Sequence, residues 1–176
     1  KLEIERILKW YGELKGLRFA ALRYFNAAGY DSLGRITSLE NNPENLIPIV
    51  MEVASGRRQK MEVFGDNYDT DDGTGVRDYI HVTDLASAHV KCIEYLNENA
   101  SLTVNLATGE SHSVLDVINL AKEISGKDIP FDIVDRRPGD PAKLYAVTNR
   151  AFESLNWEAK YSDLKTLLET TWKVYQ

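Results

Sequence analysis

Three polar clusters follow predicted strands and carry residue types that bind ligands. They are the stretches Arg23–Asn26, Gly75–His81 and Arg136–Pro141. In α/β folds, ligands bind at the carboxyl ends of the strands. Arg77 and Arg137 each lie within two positions of a Gly or Pro and near an Asp, a setting that suits a guanidinium held for bidentate contact with phosphate. Structural Arg–Asp ion pairs are the alternative interpretation of both.

Two further side chains stand at the ends of predicted strands. Asn26 directly follows an apolar run, so its amide either faces a crevice or forms a turn. Phe64 ends a short strand before Gly65, where its ring either stacks on a base or fills the core. Spacing alone leaves both alternatives open.

No metal site is expected. The acidic loop Asp66–Gly73 places Tyr68 and Thr70 where a calcium loop needs acidic ligands, so a solvated loop with tight turns is predicted instead. His81 and His89 lack paired ligand spacing and are predicted to be core or edge histidines.

The elements that must position these residues alternate between helices and short strands. Helices are predicted over 1–15, 46–54, from the cap Thr83 to about 95, from the capping-box start Ser113 to Gly126, and over 164–174. Strands are predicted over 17–25, 61–64, 79–82, 102–106 and 131–134. The intervening turn 26–29 and the segments 31–45, 65–75 and 135–141 are predicted to be loops. This alternation indicates an α/β architecture.

Composition excludes several classes of protein. The 176 residues are 43% hydrophobic, and 21 Lys and Arg against 27 Asp and Glu give a net charge of −6. A general nucleic-acid binder should be basic, and no apolar run approaches the roughly 20 residues of a membrane helix. Cys92 is the only cysteine and the first residues form no signal segment, so a cytoplasmic location is expected.

The three clusters together resemble the nucleotide-sugar branch of the extended short-chain dehydrogenase/reductase family, most closely its UDP-glucose 4-epimerases. The most specific stretch is FGDNYDTDDGTGVRDYIHV over 64–82, which is followed by DLA over 84–86. A string this long and ordered is far more specific than a short motif. The resemblance covers nearly the whole chain.

The resemblance implies a substrate site for a UDP-sugar. Asn26, Asn45, Leu46, Arg77, Tyr79 and Arg137 would contact the substrate, Glu62, Val63 and Phe64 would line the uracil, and Asp140 would accept a hydrogen bond from a ribose hydroxyl. No metal takes part in such a site.

The resemblance also implies NAD as the cofactor. Lys1-Leu2-Glu3-Ile4-Glu5 fits the frame in which the family's catalytic Tyr-x-x-x-Lys pair is followed by Leu-x-x-Glu, so Lys1 would be the catalytic lysine and would bond the nicotinamide ribose. Tyr24 would lie on the strand beside the nicotinamide. Tyr11 and Lys15 match the same pair, but they lie next to Gly16 at the far end of the helix and are interpreted as a chance match.

The implied fold is the C-terminal part of an NAD-binding Rossmann-like sheet plus the small α/β substrate-binding lobe. Residues 1–30 and about 79–110 would complete the Rossmann-like domain, and residues about 31–78 and 111–176 would mainly form the lobe. The glycine-rich dinucleotide loop and the proton-transferring tyrosine would lie in an N-terminal half that this sequence does not include.

The activity implied for the intact enzyme is NAD-dependent epimerisation of UDP-galactose and UDP-glucose at C4 through a 4-keto intermediate. The intact enzyme is expected to be a homodimer, with no nucleic-acid or membrane partner, and this chain alone is expected to be inactive. Another nucleotide-sugar epimerase, for UDP-glucuronate or UDP-N-acetylglucosamine, and a 4,6-dehydratase are alternatives within the branch. For the chain alone, a non-catalytic UDP-sugar-binding module and, less favoured, a purely structural role are the alternatives.

Overall fold

Parallel strand pairs flanked by helices build the chain in a computed structural model, which describes residues 1–147 and 149–176. The elements in chain order are α1 (Leu2–Lys15), β1 (Ala20–Arg23), β2 (Asn26–Ala28), α2 (Leu46–Ala54), β3 (Met61–Phe64), β4 (Val76–Arg77), β5 (Tyr79–His81), α3 (Val82–Glu98), β6 (Leu102–Asn105), β7 (His112–Ser113), α4 (Val114–Ser125), β8 (Phe131–Val134), β9 (Lys143–Leu144), α5 (Asn149–Leu155) and α6 (Leu164–Tyr175). Within these ranges, every helix is too short or too polar to cross a membrane.

Strand pairing brings distant parts of the chain together. β1 pairs with β6, β2 with β5, and β3 with β8, all in parallel. β4 lies between β7, which is antiparallel to it, and β9, which is parallel to it. The predicted α/β class with parallel strands is confirmed.

Two hydrophobic clusters form the interior. The larger one joins α2, β3, α4 and α6 around residues such as Met51, Ile118 and Leu167. The smaller one joins α3 and β6 to α5 and includes Val104 and Trp157. Apolar residues at helical spacing supply both clusters, since each helix turns one apolar face toward its neighbours. α5 therefore packs with residues of the stretch 79–110 rather than with the larger cluster.

The local signals predict the long elements well. α1 ends at Gly16 in the left-handed conformation, with φ of 67°. α4 begins with a complete capping box, in which the Ser113 side chain accepts from the Asp116 N–H and the Asp116 carboxylate accepts from the Ser113 N–H. α2, β3, β8 and α6 also lie close to their predicted bounds.

Three predictions about the region near β1 and β5 are wrong. The predicted strand 17–25 is reduced to β1, and the predicted turn at 26–29 contains strand β2, because Asn26–Ala28 pairs in register with Tyr79–His81. Thr83 does not cap α3. His81 is the cap, because its Nδ1 accepts a hydrogen bond from the Thr83 N–H at 3.0 Å.

The acidic loop after β3 is closed by contacts of its own. Asp66, Asp69, Asp71 and Asp72 are exposed, as expected for a solvated loop. Asp72 also accepts hydrogen bonds from the Thr74 N–H and hydroxyl and from the Ser113 hydroxyl. Although partial burial opposes the shift, these donors lower the pKa of Asp72. The loop is thereby fixed to the start of α4.

Gly73 allows this loop to close. Its φ is 79°, a conformation that favours glycine, and a Cβ built on it would stand 1.9 Å from the Asp66 carbonyl oxygen. Only a residue without a side chain fits at this position.

Candidate functional site

A cleft of about 180 Å³ lies where the start of α2, β3, β4 and the loop after β8 meet. Its lining residues are Asn26, Glu44, Asn45, Leu46, Ile49, Met61, Glu62, Val63, Phe64, Tyr68, Gly75, Arg77, Tyr79, Val114, Arg137 and Asp140. The cleft opens into a groove of about 800 Å³ that shares Asn45, Phe64 and Arg137 with it. Together they form a continuous recess, and Arg77 and Arg137 line its cleft part.

The structure brings every residue that was predicted to contact the UDP-sugar to this one cleft. Asn26, Asn45, Leu46, Glu62, Val63, Phe64, Arg77, Tyr79, Arg137 and Asp140 all line it. Lys1 and Tyr24, predicted for catalysis and the cofactor, are exposed and are absent from its lining. What each of these residues binds stays a prediction.

Asn26 is held by the residue that follows Arg77 in the sequence. Its amide Nδ2 donates to the Asp78 carbonyl oxygen at 3.0 Å, an ordinary hydrogen-bond distance. The Asp78 carboxylate is buried and accepts from the Thr108 N–H at 3.3 Å. Burial raises the pKa of Asp78. These contacts fix the amide of Asn26 at the cleft wall.

Arg77 and Asp140 form an ion pair across the cleft. The Arg77 Nη2 donates to the Asp140 carboxylate, and the Arg77 Nη1 donates to the Val76 carbonyl oxygen at 2.8 Å. The Arg77 side chain is 14% exposed and that of Asp140 is 34% exposed. The structural ion pair considered for Arg77 is therefore present, and it lies within the cleft itself.

The loop after β8 places two arginines over aromatic rings. The Arg137 guanidinium carbon lies 3.8 Å from the centroid of the Phe64 ring, and that of Arg136 lies 4.1 Å from the centroid of the Tyr68 ring. Both distances are within the range of cation–π attraction. Phe64 therefore contacts a cation, which neither of the two alternatives from the sequence included.

The beginning of α2 faces the cleft. Asn45 is the N-cap residue, but its side chain makes no capping hydrogen bond. The first N–H groups of a helix lack partners within the helix and carry partial positive charge. Asn45 and the first turn of α2 therefore offer hydrogen-bond donors to a ligand in the cleft.

Several lining residues were not identified from the sequence. They are Glu44, Ile49, Met61, Tyr68 and Val114. Tyr68 was named only as a failed calcium ligand, although it lies within the FGDNYDT string that carries the resemblance. Its hydroxyl is buried and finds no hydrogen-bond partner within the described residues. Ile49 lies four positions after Asn45, one helical turn along the face that Asn45 begins, which is a signal the sequence did contain.

A larger cavity lies elsewhere and has unsuitable chemistry for a phosphate. It measures about 530 Å³ and shares no residue with the cleft. Glu110, Glu153, Glu158 and Asp163 line it, with Lys160 as the only cation among its lining residues. This acidic lining would repel an anionic ligand, so the smaller cleft with its two arginines is the better candidate.

Tyr11 and Lys15 lie away from the cleft. Tyr11 is 55% exposed near the end of α1, and both residues line a surface depression shared with Leu14. Neither residue lines the cleft that contains Asn26 and Arg77. Across the described residues, no group of three or more His, Cys, Asp and Glu side chains is arranged to hold a metal ion.

Known proteins are similar to this chain in sequence and fold. The model of a family described as the NAD dependent epimerase/dehydratase family matches residues 1–107, which is more than half of the chain. The chain belongs to this family.

UDP-glucose 4-epimerases are among its relatives. That of Halalkalibacterium halodurans is 46% identical over 173 residues, which are 98% of this chain and 52% of that protein. The crystal structure of the Brucella ovis UDP-glucose 4-epimerase in complex with NAD has a TM-score of 0.94 at 43% identity, covering 99% of this chain and 54% of that one. The crystal structure of the Bifidobacterium longum enzyme in complex with NAD+ and UDP has a TM-score of 0.89 at 38% identity. The match covers 99% of this chain and 52% of that one. The chain spans about half the length of the curated relatives it matches.

Proposed function

We propose that this chain supplies the nucleotide-sugar-binding half of an NAD-dependent epimerase that interconverts UDP-galactose and UDP-glucose at C4. The observation that carries the proposal is the convergence of Arg77, Arg137 and Asp140 with strand β3 and the start of α2 in one cleft. The relative from Bifidobacterium longum, whose structure contains NAD+ and UDP, supports the choice of ligand.

The charged residues of the cleft would anchor the nucleotide part of the ligand and leave the sugar part mobile. Arg77 and Arg137 would each bind diphosphate oxygens through charge-assisted hydrogen bonds, which are stronger than neutral ones. Asp140 would accept from a ribose hydroxyl, and Glu62–Phe64 would border the uracil. Asn26, Asn45, Leu46 and Tyr79 would complete the contacts with the nucleotide and the sugar.

Such a division suits epimerisation. The 4-keto sugar must turn so that hydride returns to its other face, while the nucleotide stays bound. Strong contacts should therefore lie on the diphosphate and base. The cleft fits this requirement, because Arg77 is paired with Asp140 and Arg137 lies against Phe64, a residue of the strand predicted to border the base.

The residues present fit one end of a bound NAD. NAD would supply the hydride acceptor for sugar C4. Tyr24 is exposed just past the carboxyl end of β1, the end of a parallel strand at which cofactors bind. Lys1 is exposed and precedes α1. Its ammonium group would lower the pKa of a neighbouring proton-transferring hydroxyl by charge proximity.

A binding experiment tests the nucleotide half of the proposal. UDP titrated into the chain in a calorimeter should bind, and Arg77→Met and Arg137→Met should each weaken binding by about ten- to a hundredfold, the value of a hydrogen bond to a charged group. Arg57→Met removes an exposed arginine that does not line the cleft and should change nothing. A folded wild-type chain that fails to bind UDP would refute the proposal.

A turnover experiment tests the reaction. The chain is joined at Lys1 to the N-terminal half that the resemblance implies, then given UDP-galactose and NAD. UDP-glucose should form without release of NADH. Binding of UDP without conversion would contradict the galactose assignment and favour another nucleotide sugar or a 4,6-dehydratase, which parallel assays with UDP-glucuronate and UDP-N-acetylglucosamine distinguish.

We further infer that the intact protein is a homodimer located in the cytoplasm. The observation that supports the homodimer is the apolar surface of α1, on which Ile4, Trp10 and Leu14 are 59%, 65% and 78% exposed. Apolar patches of this kind are typical of protein interfaces. Sedimentation of the intact protein should give twice the mass of one of its subunits. Trp10→Glu should reduce the measured mass to that of a single subunit.

A further inference from the structure

Phe64 and Arg137 are brought together by the pairing of two parallel strands. Phe64 is the last residue of β3 and lies in register with Val134, the last residue of β8. The Gly65 N–H donates to the Val134 carbonyl oxygen at 2.8 Å, so the pairing continues one residue further. Arg137 follows three positions after Val134, which brings its guanidinium group to the Phe64 ring.

The turn that carries Arg137 is rigid. The Asp140 N–H donates to the Arg137 carbonyl oxygen at 3.2 Å, and Gly139 has a φ of 79°. Pro138 and Gly139 therefore occupy the two central positions of a type II turn, which both residues favour. Asp140 at the other end is paired with Arg77. The backbone of the turn is thus fixed, and the Arg137 side chain is the part that needs a further contact.

The Arg137 residue is exposed, so few packing contacts restrict its side chain. A flexible arginine loses rotamer entropy when it binds a ligand, which weakens binding. A flat aromatic ring at 3.8 Å from the guanidinium carbon restricts that freedom before the ligand arrives. The same contact covers one face of the ring and so makes that face inaccessible to a base.

We propose that Phe64 is a positioning residue for Arg137: its ring holds the guanidinium at the cleft wall for a diphosphate, rather than stacking on the nucleoside base. The proposal rests on the proposed function for the identity of the ligand. It assigns the effect of the Phe64 ring to the phosphate part of the ligand, whereas the backbone of Glu62–Phe64 still borders the base.

Binding of uridine, UMP and UDP by calorimetry tests this assignment. In Phe64→Leu, the UDP Kd should rise by about two- to fivefold, the value of an exposed cation–π contact, while the uridine Kd stays nearly constant. The ratio of the uridine Kd to the UDP Kd should therefore fall by the same factor. Phe64→Tyr keeps the aromatic face and should restore the ratio. Phe152→Leu, which removes an exposed aromatic side chain outside the cleft, should change neither constant.

An NMR measurement on the free protein gives a second test. Ring current should shift the Arg137 side-chain protons upfield relative to those of exposed Arg57, and the shift should disappear in Phe64→Leu and persist in Phe64→Tyr. The wild-type shift needs no substitution, so it tests the contact even if Phe64→Leu fails to fold.

The outcomes separate the two proposals. An equal loss of affinity for uridine, UMP and UDP in Phe64→Leu would show that the ring contacts the base and would overturn the inference. Unshifted Arg137 protons in the wild type would also overturn it. A wild-type chain that shows the ring-current shift but binds no UDP would instead refute the proposed function and leave the contact standing.

Discussion

The cleft and helix α1 differ in how their side chains are held. Around the cleft, Arg77 is paired with Asp140, Arg137 lies on Phe64, and the elements behind them bury Ile118 and Met51 completely. On α1, no residue is buried, and apolar side chains such as Ile4 remain exposed. The groups of the cleft are ordered by contacts within this chain, whereas the apolar surface of α1 has no covering contact within the described residues.

This difference separates two parts of the proposed activity. In the proposed function, nucleotide binding would depend on residues that this chain itself positions, so it should be measurable on the chain alone. Proton transfer and cofactor binding would depend on Lys1 and Tyr24, which are exposed and outside the cleft.

Truncation of one isoleucine in each part tests the contrast directly. Ile118→Ala on α4 should lower the free energy of unfolding by about 2–5 kcal/mol, because it leaves a cavity in the larger hydrophobic cluster. Ile4→Ala on α1 should lower it by at most about 0.5 kcal/mol, since its side chain is already in water. Urea denaturation of both variants gives the two values.

A large loss of stability in Ile4→Ala would contradict the expectation that this side chain lies in water. It would mean that the apolar side of α1 is covered in solution, as the proposed dimer requires. Repeating the denaturation at several protein concentrations distinguishes the cases, because the stability of a dimer rises with concentration and that of a monomer does not.

A pair of glycines tests how tightly the acidic loop is built. Gly73 and Gly109 both have φ of 79°, but a Cβ on Gly73 meets the Asp66 backbone at 1.9 Å and a Cβ on Gly109 meets nothing within 4 Å. Gly73→Ala should therefore cost about 1–3 kcal/mol more than Gly109→Ala, the range for an overpacked site. Equal thermal shifts of the two variants would show that the loop relaxes and does not hold the cleft.

The long elements and the charged loops could be predicted from the sequence, because their signals are local. Helical spacing and caps define α2, α4 and α6, and the Gly, Pro and Asp neighbours of Arg77 and Arg137 mark them as ligand-binding candidates. The resemblance added the residues without such a signal, among them Leu46 and Val63. All of these residues do line one cleft.

The remaining features depend on contacts between distant residues. β2 forms only because Asn26–Ala28 finds β5 alongside it, and Asn26 alone resembles a turn residue. Phe64 acquires a cation from a loop that enters from β8, so its own neighbours in the sequence give no sign of it. α5 has seven residues, too few for a helical periodicity to stand out. Short elements and side-chain partners are decided by tertiary packing rather than by local propensity.

Protonation of His81 is the smallest of the expected effects. The imidazole is buried, accepts the Thr83 N–H at Nδ1, and lies 3.1 Å from the Thr170 hydroxyl at Nε2. That hydroxyl donates to the Thr166 carbonyl oxygen at 2.8 Å, so Nε2 carries the proton and the ring is neutral. Burial lowers the pKa of His81, although the nearby Asp84, Asp163 and Asp31 oppose the shift.

The direction of the pH effect follows from this lowered pKa. The unfolded chain has a histidine pKa of about 6.5 and so binds more protons than the folded chain as the pH falls below that value. Stability from His81 is therefore present above about pH 6.5 and decreases as the pH falls toward the folded pKa, with a slope of at most about 1.4 kcal/mol per pH unit for one proton.

His81→Asn keeps an acceptor for the Thr83 N–H and removes the titrating ring, so urea denaturation between pH 7.5 and 5 should give a flatter profile of stability against pH. His89→Asn, on the exposed side of α3, should keep the wild-type slope, and an unchanged slope in His81→Asn would show that the buried imidazole does not control stability in this range.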